Sequence, residues 1–249
     1  MEKVNYIIKG FGHATGKYKV SNELLANAVD KNMLDGFNPE MIQHSKNFQA
    51  YLNENPETSP FEYFVGYKMG FHNRNHVTPW PPIKQNQDVA ENSLDLLIEA
   101  VDRALEKSGL DAEDIDGWIV STVSPPEQAP GIAATLKCYF TKPENNTPAM
   151  TLTSGCAGFN IALRRSLDFF KSRSDIKNIL IANTETMSHF LNRERDFVFH
   201  ATFGDAAAAA VISQVPNTGK HEGVGALVNY QDLRMIDFVG VDKEWNLYM

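Results

Sequence analysis

The sequence predicts an α/β fold in which helices cover the faces of a mainly parallel sheet. Short apolar segments typical of strands alternate with amphipathic segments typical of helices along the 249 residues. Two strand patterns, at residues 118–122 and 178–183, each follow a helical pattern. Such alternation indicates a layered fold, because parallel strands are joined by helices that pack on the sheet.

The elements of the N-terminal part begin with a strand over residues 4–8 and a helix that Ser21 caps. The next long helix follows residue 82, with Asp88 as its predicted cap, Glu91 three residues on and Gly109 at its end. Its core face is predicted to carry Leu94, Leu97, Ile98, Val101 and Leu105.

Between these helices, residues 35–82 lose the regular periodicity and carry Asn, Pro and Gly residues typical of turns. Aromatic residues recur throughout the segment, so we expect packing to order it. They are Phe37, Phe48, Tyr51, Phe61, Tyr63, Phe64 and Trp80.

The later elements continue the alternation. Ile132, Ala133, Leu136 and Phe140 predict one side of a helix. Cys138 lies in that helix, and core packing is its simplest role. Residues 206–210 and 223–230 predict two further strands.

The composition excludes several classes of protein. Apolar residues at 43% and charged residues at 22% are typical of a soluble globular protein, and a net charge of -8 argues against a nucleic-acid groove. No apolar run approaches the ~18 residues of a membrane span. The N-terminus lacks the apolar stretch of a signal peptide, and two cysteines do not suggest a disulfide framework, so we expect a cytoplasmic protein.

The sequence predicts no metal site and no bound cofactor. Neither cysteine belongs to a CxxC pair, and no His-Glu-x-x-His pattern occurs. His72 and His76 stand four residues apart, but no carboxylate or helical apolar pattern accompanies them. Glycine-rich phosphate loops are also missing from the sequence.

Cys156 is the candidate nucleophile. In the stretch 149–163, a short apolar strand passes through Ser154 and Gly155 into a helix whose apolar positions are Phe159, Leu163, Leu167 and Phe170. Unpaired N–H groups and the helix dipole at such an N-terminus favour thiolate over thiol, and the thiolate is the nucleophile. The alternative is a small buried side chain in a tight turn.

Three segments carry a family resemblance: residues 111–122 (Asp-Ala-Glu-Asp-Ile-Asp-Gly-Trp-Ile-Val-Ser-Thr), 154–163 (Ser-Gly-Cys-Ala-Gly-Phe-Asn-Ile-Ala-Leu) and 203–211 (Phe-Gly-Asp-Ala-Ala-Ala-Ala-Ala-Val). They resemble, in order, the strand before the acyl-pocket loop, the active-site motif and the motif that follows it in β-ketoacyl-acyl-carrier-protein (ACP) synthase III, of the thiolase superfamily. The resemblance implies a thiolase-like fold of α-β-α layers, mainly the first of two pseudo-symmetric halves.

The resemblance also implies an activity. In that family a cysteine takes an acyl group from acyl-CoA and condenses it with malonyl-ACP, in fatty-acid or related polyketide-type biosynthesis. Only Cys156 matches; none of the seven histidines matches the family's catalytic histidine, which lies with an asparagine in the second half. We expect residues 1–220 to form the first half with an insertion at 35–82, and residues 221–249 to begin the second.

Further positions follow from the resemblance. Ala129, in the loop 124–131, aligns with the residue that closes the acyl pocket, while Lys68 and Phe64 align with the arginine and the stacking tryptophan that contact CoA. Because carriers are acidic, Lys68, Arg74, Arg164 and Arg165 are candidates for a basic rim, although a solvated helix face explains the last two equally well. The expected assembly is a homodimer, or a heteromer with a chain that supplies the second half. The alternative function is a non-catalytic subunit with a binding and structural role.

Overall fold

The computed structural model describes residues 4–81, 91–191, 197–220, 222–228, 230, 232, 234, 240, 241, 243, 247 and 248. Its elements in chain order are β1 (Val4–Thr15), β2 (Tyr18–Ser21), α1 (Asn22–Asp30), α2 (Pro39–Gln43), α3 (Lys46–Leu52), a π-helix (Glu62–Lys68), β3 (Asn73–His76), α4 (Ser93–Ser108), β4 (Gly117–Ser121), α5 (Ile132–Phe140), β5 (Ala149–Leu152), α6 (Gly158–Ser172), β6 (Asn178–Thr186), α7 (Phe197–Thr202), β7 (Asp205–Pro216), β8 (Gly240–Val241) and β9 (Leu247–Tyr248).

The chain forms two compact units, each built from three segments. The first contains Met1–Thr15, Glu91–Thr186 and Ala206–Arg234, and the second contains Gly16–Ala90, Met187–Asp205 and Met235–Met249. The aromatic segment 35–82 lies in the second unit. The predicted boundary between residues 220 and 221 stays a prediction.

The first unit is organised on a five-stranded sheet in the order β1-β7-β6-β4-β5. Strand β4 pairs in parallel with β5 and β6, whereas β1 pairs antiparallel with β7, so the sheet is mixed. Ile119, Ile179 and Ile181 form a core with α6, and the alternating residues Trp118 and Leu180 are also buried. Burial of both faces confirms the predicted α/β layers.

Helix α4 lies unusually close to the edge strand β1. A Cβ atom at Gly12 would stand 2.1 Å from the Ala100 carbonyl oxygen, and one at Gly10 would stand 2.3 Å from that of Ala104. The two glycines therefore allow the helix backbone to touch the strand. Strand β1 extends to Thr15, well beyond the predicted residues 4–8, because it pairs with β7 up to that residue, with one irregularity between Ile8 and Gly10.

Two predicted boundaries are correct and two predictions need correction. Gly109 ends α4 in the left-handed conformation, with φ of 66°, and Ser21 caps α1. Helix α4 is capped by Asn92, not by Asp88, which lies outside the described residues. The strand predicted over 223–230 is wrong: the described residues 222–228 and 230 form none. Val228 and Tyr230 are exposed, so these apolar residues are not packed as they would be in a sheet covered by helices.

The second unit confirms that aromatic packing orders the described part of segment 35–82. Phe37 contacts Phe61 and Phe197 edge to face, with ring centroids 5.0 and 5.1 Å away, and these rings belong to an apolar cluster with α1 and α7. Among the described residues of the whole chain, none of the helices combines the length and apolar character that crossing a bilayer requires.

Arg74 of β3 is buried in the second unit, so it cannot serve as the exposed basic residue that the sequence suggested. Its guanidinium donates to the carbonyl of Ala201 at 2.5 Å and to Asn22 Oδ1 at 2.9 Å. Burial lowers the pKa of Arg74 to about 10, and the charge of Glu62 opposes that shift. The arginine thus joins α7, α1 and β3 from within.

His76 of β3 is also fully buried in the second unit. Its Nε2 lies 3.3 Å from the Phe203 carbonyl oxygen, which can only accept, so Nε2 carries the proton. Its Nδ1 is buried and has no hydrogen-bond partner among the described residues. Burial lowers the pKa of His76; Asp205 and the Phe203 carbonyl raise it, whereas Arg74 and His189 lower it.

We predict that His76 makes the fold less stable in acid. Because its folded-state pKa lies below the unfolded value of ~6.5, the unfolded chain binds more protons below that pH, and the free energy of unfolding falls as the pH falls. Urea unfolding between pH 7.5 and pH 5 measures this slope. His76→Gln, whose amide can still donate to Phe203, should flatten it by roughly 1 kcal/mol over that range.

The control is His13→Gln, which removes an exposed histidine of β1. If the protein and His76→Gln show the same pH dependence of unfolding, the buried imidazole does not control acid stability.

Candidate active site

Cys156 lies in the turn that joins β5 to α6. A short 3-10 helix, Gly155–Ala157, carries it and runs directly into Gly158–Ser172. Gly155 has φ of +53°, a conformation that glycine adopts without the cost that a Cβ atom would add. The cysteine side chain is exposed, which contradicts the alternative of a small buried hydrophobe.

The N-terminus of α6 has no side-chain cap. The N-cap residue Ala157 makes no side-chain hydrogen bond to the helix, and the N–H of Gly158 donates to the Gly155 carbonyl of the preceding 3-10 turn. The first N–H groups of the helix and the positive end of its dipole lie next to Cys156. The local structure therefore matches the predicted strand, turn and helix N-terminus.

Gly158 sets the position of this turn against the sheet. A Cβ atom there would stand 2.1 Å from Ser121 Oγ at the end of β4 and 2.5 Å from Asn183 Oδ1 in β6. Both distances are far below any contact that a real Cβ atom makes. The helix can start this close to the two strands only because residue 158 is glycine.

The buried stripe of α6 differs from the predicted one. Gly158, Ala162 and Ser166 are buried against the sheet, while Phe159 and Leu163 are half-buried at the margin of the core. Leu167 and Phe170 are buried as predicted. Small residues hold the central positions because the helix axis lies close to the strands, which leaves no room there for large rings.

Ala129 lies in the loop 124–131 of the same unit, and its side chain is exposed. The end of the loop is tied to β5: Thr151 Oγ1 accepts the N–H of Ala133 at 3.1 Å. A Cβ atom at Gly131, whose φ is +94°, would lie 3.0 Å from that same oxygen. The loop carrying Ala129 therefore ends on the strand that leads to Cys156.

Phe64 and Lys68, both in the π-helix of the second unit, have different surroundings. Phe64 is half-buried against Phe37 and Phe197 and lines a largely apolar cavity of about 390 Å³. Lys68 is exposed, and its ammonium lies 5.3 Å from the ring centre of Tyr67 and 5.5 Å from that of Tyr63. Lys68 is not among the residues that line the cavity of Phe64. Their role in CoA recognition stays a prediction.

Two further exposed features belong to the first unit. Arg164 and Arg165 each lie 3.4 Å from a carboxylate oxygen of Asp168, so their charges are partly compensated on the surface of α6. Cys138 of α5 is exposed, so the prediction of core packing is wrong for this residue. Among the described residues, no group of three or more histidine, cysteine and acidic side chains could hold a metal ion.

Glu185 is a half-buried acid near the site that the sequence analysis did not single out. It lies at the end of β6, and burial raises its pKa, while hydrogen bonds from Ser124, Val123, Thr122 and Asn183 lower it. An acidic residue that follows the apolar run 179–182 within a strand is the signal that could have identified it.

Comparison with known proteins agrees with the motifs. Residues 150–231 match the family model described as 3-oxoacyl-[acyl-carrier-protein (ACP)] synthase III. A β-ketoacyl-[acyl-carrier-protein] synthase III of Clostridium perfringens is 37% identical over 123 residues, which cover 49% of this chain and 37% of that protein. The mycobacterial β-ketoacyl-[acyl-carrier-protein] synthase III of Mycobacterium tuberculosis is 32% identical over 160 residues, 62% of this chain and 44% of that protein.

Solved structures extend the likeness to the fold. The 3-oxoacyl-[acyl-carrier-protein] synthase III from Aquifex aeolicus superposes with a TM-score of 0.72 at 20% identity, over 98% of this chain and 64% of that one. The priming β-ketosynthase of the R1128 polyketide pathway superposes at 0.62 with 22% identity, over 87% and 51%. The matches with curated relatives span less than half of their length. The resemblance is confirmed, and the chain has the thiolase-like fold of these condensing enzymes.

We predict that Gly158→Ala destabilises the protein by more than about 2 kcal/mol, because the added methyl group overlaps Ser121 and Asn183. Displacement of the helix start should also slow alkylation of Cys156 by iodoacetamide. Urea unfolding and mass spectrometry measure the two effects.

The matched control is Gly117→Ala, at the start of β4, where the nearest contact of an added Cβ atom is an ordinary 3.7 Å to Ile179. Equal stability of the two variants would show that α6 does not depend on close approach at residue 158.

Proposed function

We propose that this chain is the acyl-accepting part of an acyltransferase of the β-ketoacyl-ACP synthase III type, with Cys156 as the residue that carries the acyl group. The observation that carries the proposal is the exposed thiol in an unaltered Ser-Gly-Cys turn at the uncapped start of α6. The match over residues 150–231, which includes this turn, supports it.

The first half-reaction is a thioester exchange. The Cys156 thiolate attacks the carbonyl carbon of acyl-CoA, and the carbonyl electron pair moves to oxygen to form a tetrahedral oxyanion. Backbone N–H groups around residue 156 are available to donate to that oxygen. When the carbonyl re-forms, the carbon–sulfur bond to CoA breaks, CoA leaves as its thiolate, and the acyl group stays on Cys156.

The second half-reaction makes a carbon–carbon bond. Loss of carbon dioxide from malonyl-ACP leaves an electron pair on the α-carbon, which attacks the acyl-Cys156 carbonyl and expels the cysteine thiolate. This step needs hydrogen-bond donors for the enolate that forms. The residues that match the family in this chain do not include the histidine and asparagine that supply those donors, so we propose that they come from elsewhere.

The proposed partners are acyl-CoA, ACP and a second subunit, either a copy of this chain or a chain that supplies the second half. Lys68, Arg164 and Arg165 are exposed and remain candidates for contacts with an acidic carrier. Exposure of Ala129 agrees with a loop that lies near a dimer partner. A non-catalytic subunit is the second candidate, but a purely structural role would not require a cysteine at position 156.

We predict that Cys156 reacts faster than the other cysteine of the same chain. Both thiols are exposed, so Cys138 is an internal control for access. Iodoacetamide at pH 7 should modify Cys156 at least about tenfold faster, because only Cys156 adjoins an uncapped helix N-terminus. Acyl-CoA should then add one acyl group, seen by mass spectrometry and absent from Cys156→Ala.

The same chain, given labelled malonyl-ACP, should release no carbon dioxide above background. Loss of one donor for the enolate typically costs ~10²- to 10³-fold in rate, and residues 1–249 match neither donor of the family. Equal alkylation of the two cysteines, with no acyl adduct, would favour the structural subunit instead.

Acyl-chain length is the second prediction. The resemblance assigns Ala129 to the residue that closes the acyl pocket, and a methyl group there would fill less of that pocket than an aromatic ring. Medium or branched acyl-CoA should therefore acylate Cys156 faster than acetyl-CoA. Ala129→Phe should reverse that order, whereas Gln128→Phe, with the same ring one residue earlier in the loop, should not. The prediction is wrong if acetyl transfer exceeds octanoyl transfer in the unmodified chain.

A further inference from the structure

Glu185 has surroundings that the proposed chemistry does not explain. It is the last residue but one of β6, between the buried residues Thr184 and Thr186, and it is itself half-buried. Burial raises its pKa, so holding the ionised form there opposes the ordinary preference of a carboxylate for water. A carboxylate retained in such a place usually accepts several hydrogen bonds.

The carboxylate accepts hydrogen bonds from Val123, just before the loop 124–131, and from Ser124, the first residue of that loop. The N–H of Val123 lies 3.1 Å from each of the two Glu185 oxygens, and the Ser124 hydroxyl donates to Oε2 at 2.8 Å. The same Ser124 oxygen accepts the N–H of Thr186 at 2.8 Å. The chain that leaves β4 is thus attached to the end of β6 by both side chains.

A second set of bonds reaches helix α4. Ser93 Oγ donates to the Ser124 carbonyl at 2.9 Å, and Thr184 Oγ1 donates to the Ser93 carbonyl at 3.0 Å. Ser93, Ser124 and Thr184 are all buried, so each of these groups needs its partner. Glu185 is the carboxyl member of this network, and a carboxylate makes stronger hydrogen bonds than a neutral acceptor does.

The network also adjoins the cysteine turn. Asn183, two residues before Glu185 in β6, presents its Oδ1 to Gly158, two residues after Cys156. The far end of the loop is held separately, through Thr151 and Ala133. Both ends of the loop that carries Ala129 are thus attached, one next to β5 and the other to Glu185. Within the loop, Glu127 also accepts a hydrogen bond from Thr135 of α5, at 3.2 Å.

We propose that Glu185 is a positioning residue that sets the acyl-chain specificity of this site by anchoring the start of the loop 124–131. The proposal rests on the proposed function for its effect on acyl transfer, although the anchoring itself does not depend on it. Glu185 acts through Val123 and Ser124, and it does not contact the reacting thiol in this mechanism. Its substitution should therefore change which acyl chain is accepted more than it changes the reactivity of Cys156.

The test compares Glu185→Gln with Glu185→Asp and with a control. A glutamine retains one acceptor oxygen but places an N–H₂ group against Val123 or Ser124, whereas aspartate keeps the charge with a shorter reach. The control is Glu113→Gln: Glu113 also accepts a backbone N–H, that of Lys142 at 2.7 Å, but it anchors a different, exposed loop.

Hydrogen exchange by mass spectrometry measures anchoring. In Glu185→Gln the amides of residues 123–131 should exchange about tenfold faster, while the exchange rates of β4 and α6 should be unchanged. In the control Glu113→Gln, residues 123–131 should exchange at the rate of the unmodified chain. The proposal is overturned if Glu185→Gln speeds amide exchange throughout the first unit, or if it leaves the exchange rates of residues 123–131 unchanged. Ser124→Ala removes the same bridge from its other side, and the double variant should be no faster than the faster single variant.

Acyl transfer measures specificity. The ratio of octanoyl-CoA to acetyl-CoA acylation rates at Cys156 should change by about fivefold or more in Glu185→Gln, with partial recovery in Glu185→Asp, while iodoacetamide alkylation of Cys156 changes less than about twofold. An unchanged ratio with faster exchange overturns the role in specificity. If no acyl-CoA reacts with the unmodified chain, the proposed function fails, and the exchange experiment alone decides whether Glu185 anchors the loop.

Discussion

The close approach of α6 to the ends of β4 and β6 is the steric constraint on which the candidate site depends. At Gly158 the helix lies so close to the side chains of Ser121 and Asn183 that even a methyl group would not fit between them. The position of Cys156 follows directly, because the turn that carries it has to enter the helix at this point of contact. A larger residue at 158 would move the helix start, its N–H groups and the thiol together.

The first unit uses the same solution at its edge strand. Gly10 and Gly12 let α4 lie on β1, just as Gly158 lets α6 lie on the central strands. Close backbone contact excludes large side chains, so the glycine positions determine where each helix can lie on the sheet. Burial of hydrocarbon stabilises it further, through Ile119, Ile181 and their neighbours in the core beneath α6.

Buried polar groups also fix the positions of loops and short helices through hydrogen bonds, and each unit contains such groups. In the second unit, Arg74 of β3 bonds to the Ala201 carbonyl in α7, and His76 of β3 bonds to the carbonyl of Phe203, just after α7. In the first unit, Glu185 accepts hydrogen bonds from Val123 and Ser124 at the beginning of the loop 124–131. Such groups are directional and costly to leave unpaired, so they specify where a loop or short helix lies better than apolar contact does.

The sequence by itself determined the α/β class, the strand-turn-helix around Cys156, the end of α4 at Gly109 and the aromatic ordering of the segment after residue 35. These features depend on neighbours close in the chain, such as the periodicity of apolar residues, a glycine at a helix end or a short turn. Only the tertiary structure decided that Arg74 is buried, that Cys138 is exposed, that residues 222–228 form no strand and that Glu185 holds a loop. Each of those outcomes depends on partners far away in sequence, such as Ala201 for Arg74 and Val123 for Glu185. A local sequence pattern does not indicate which distant residues will be in contact.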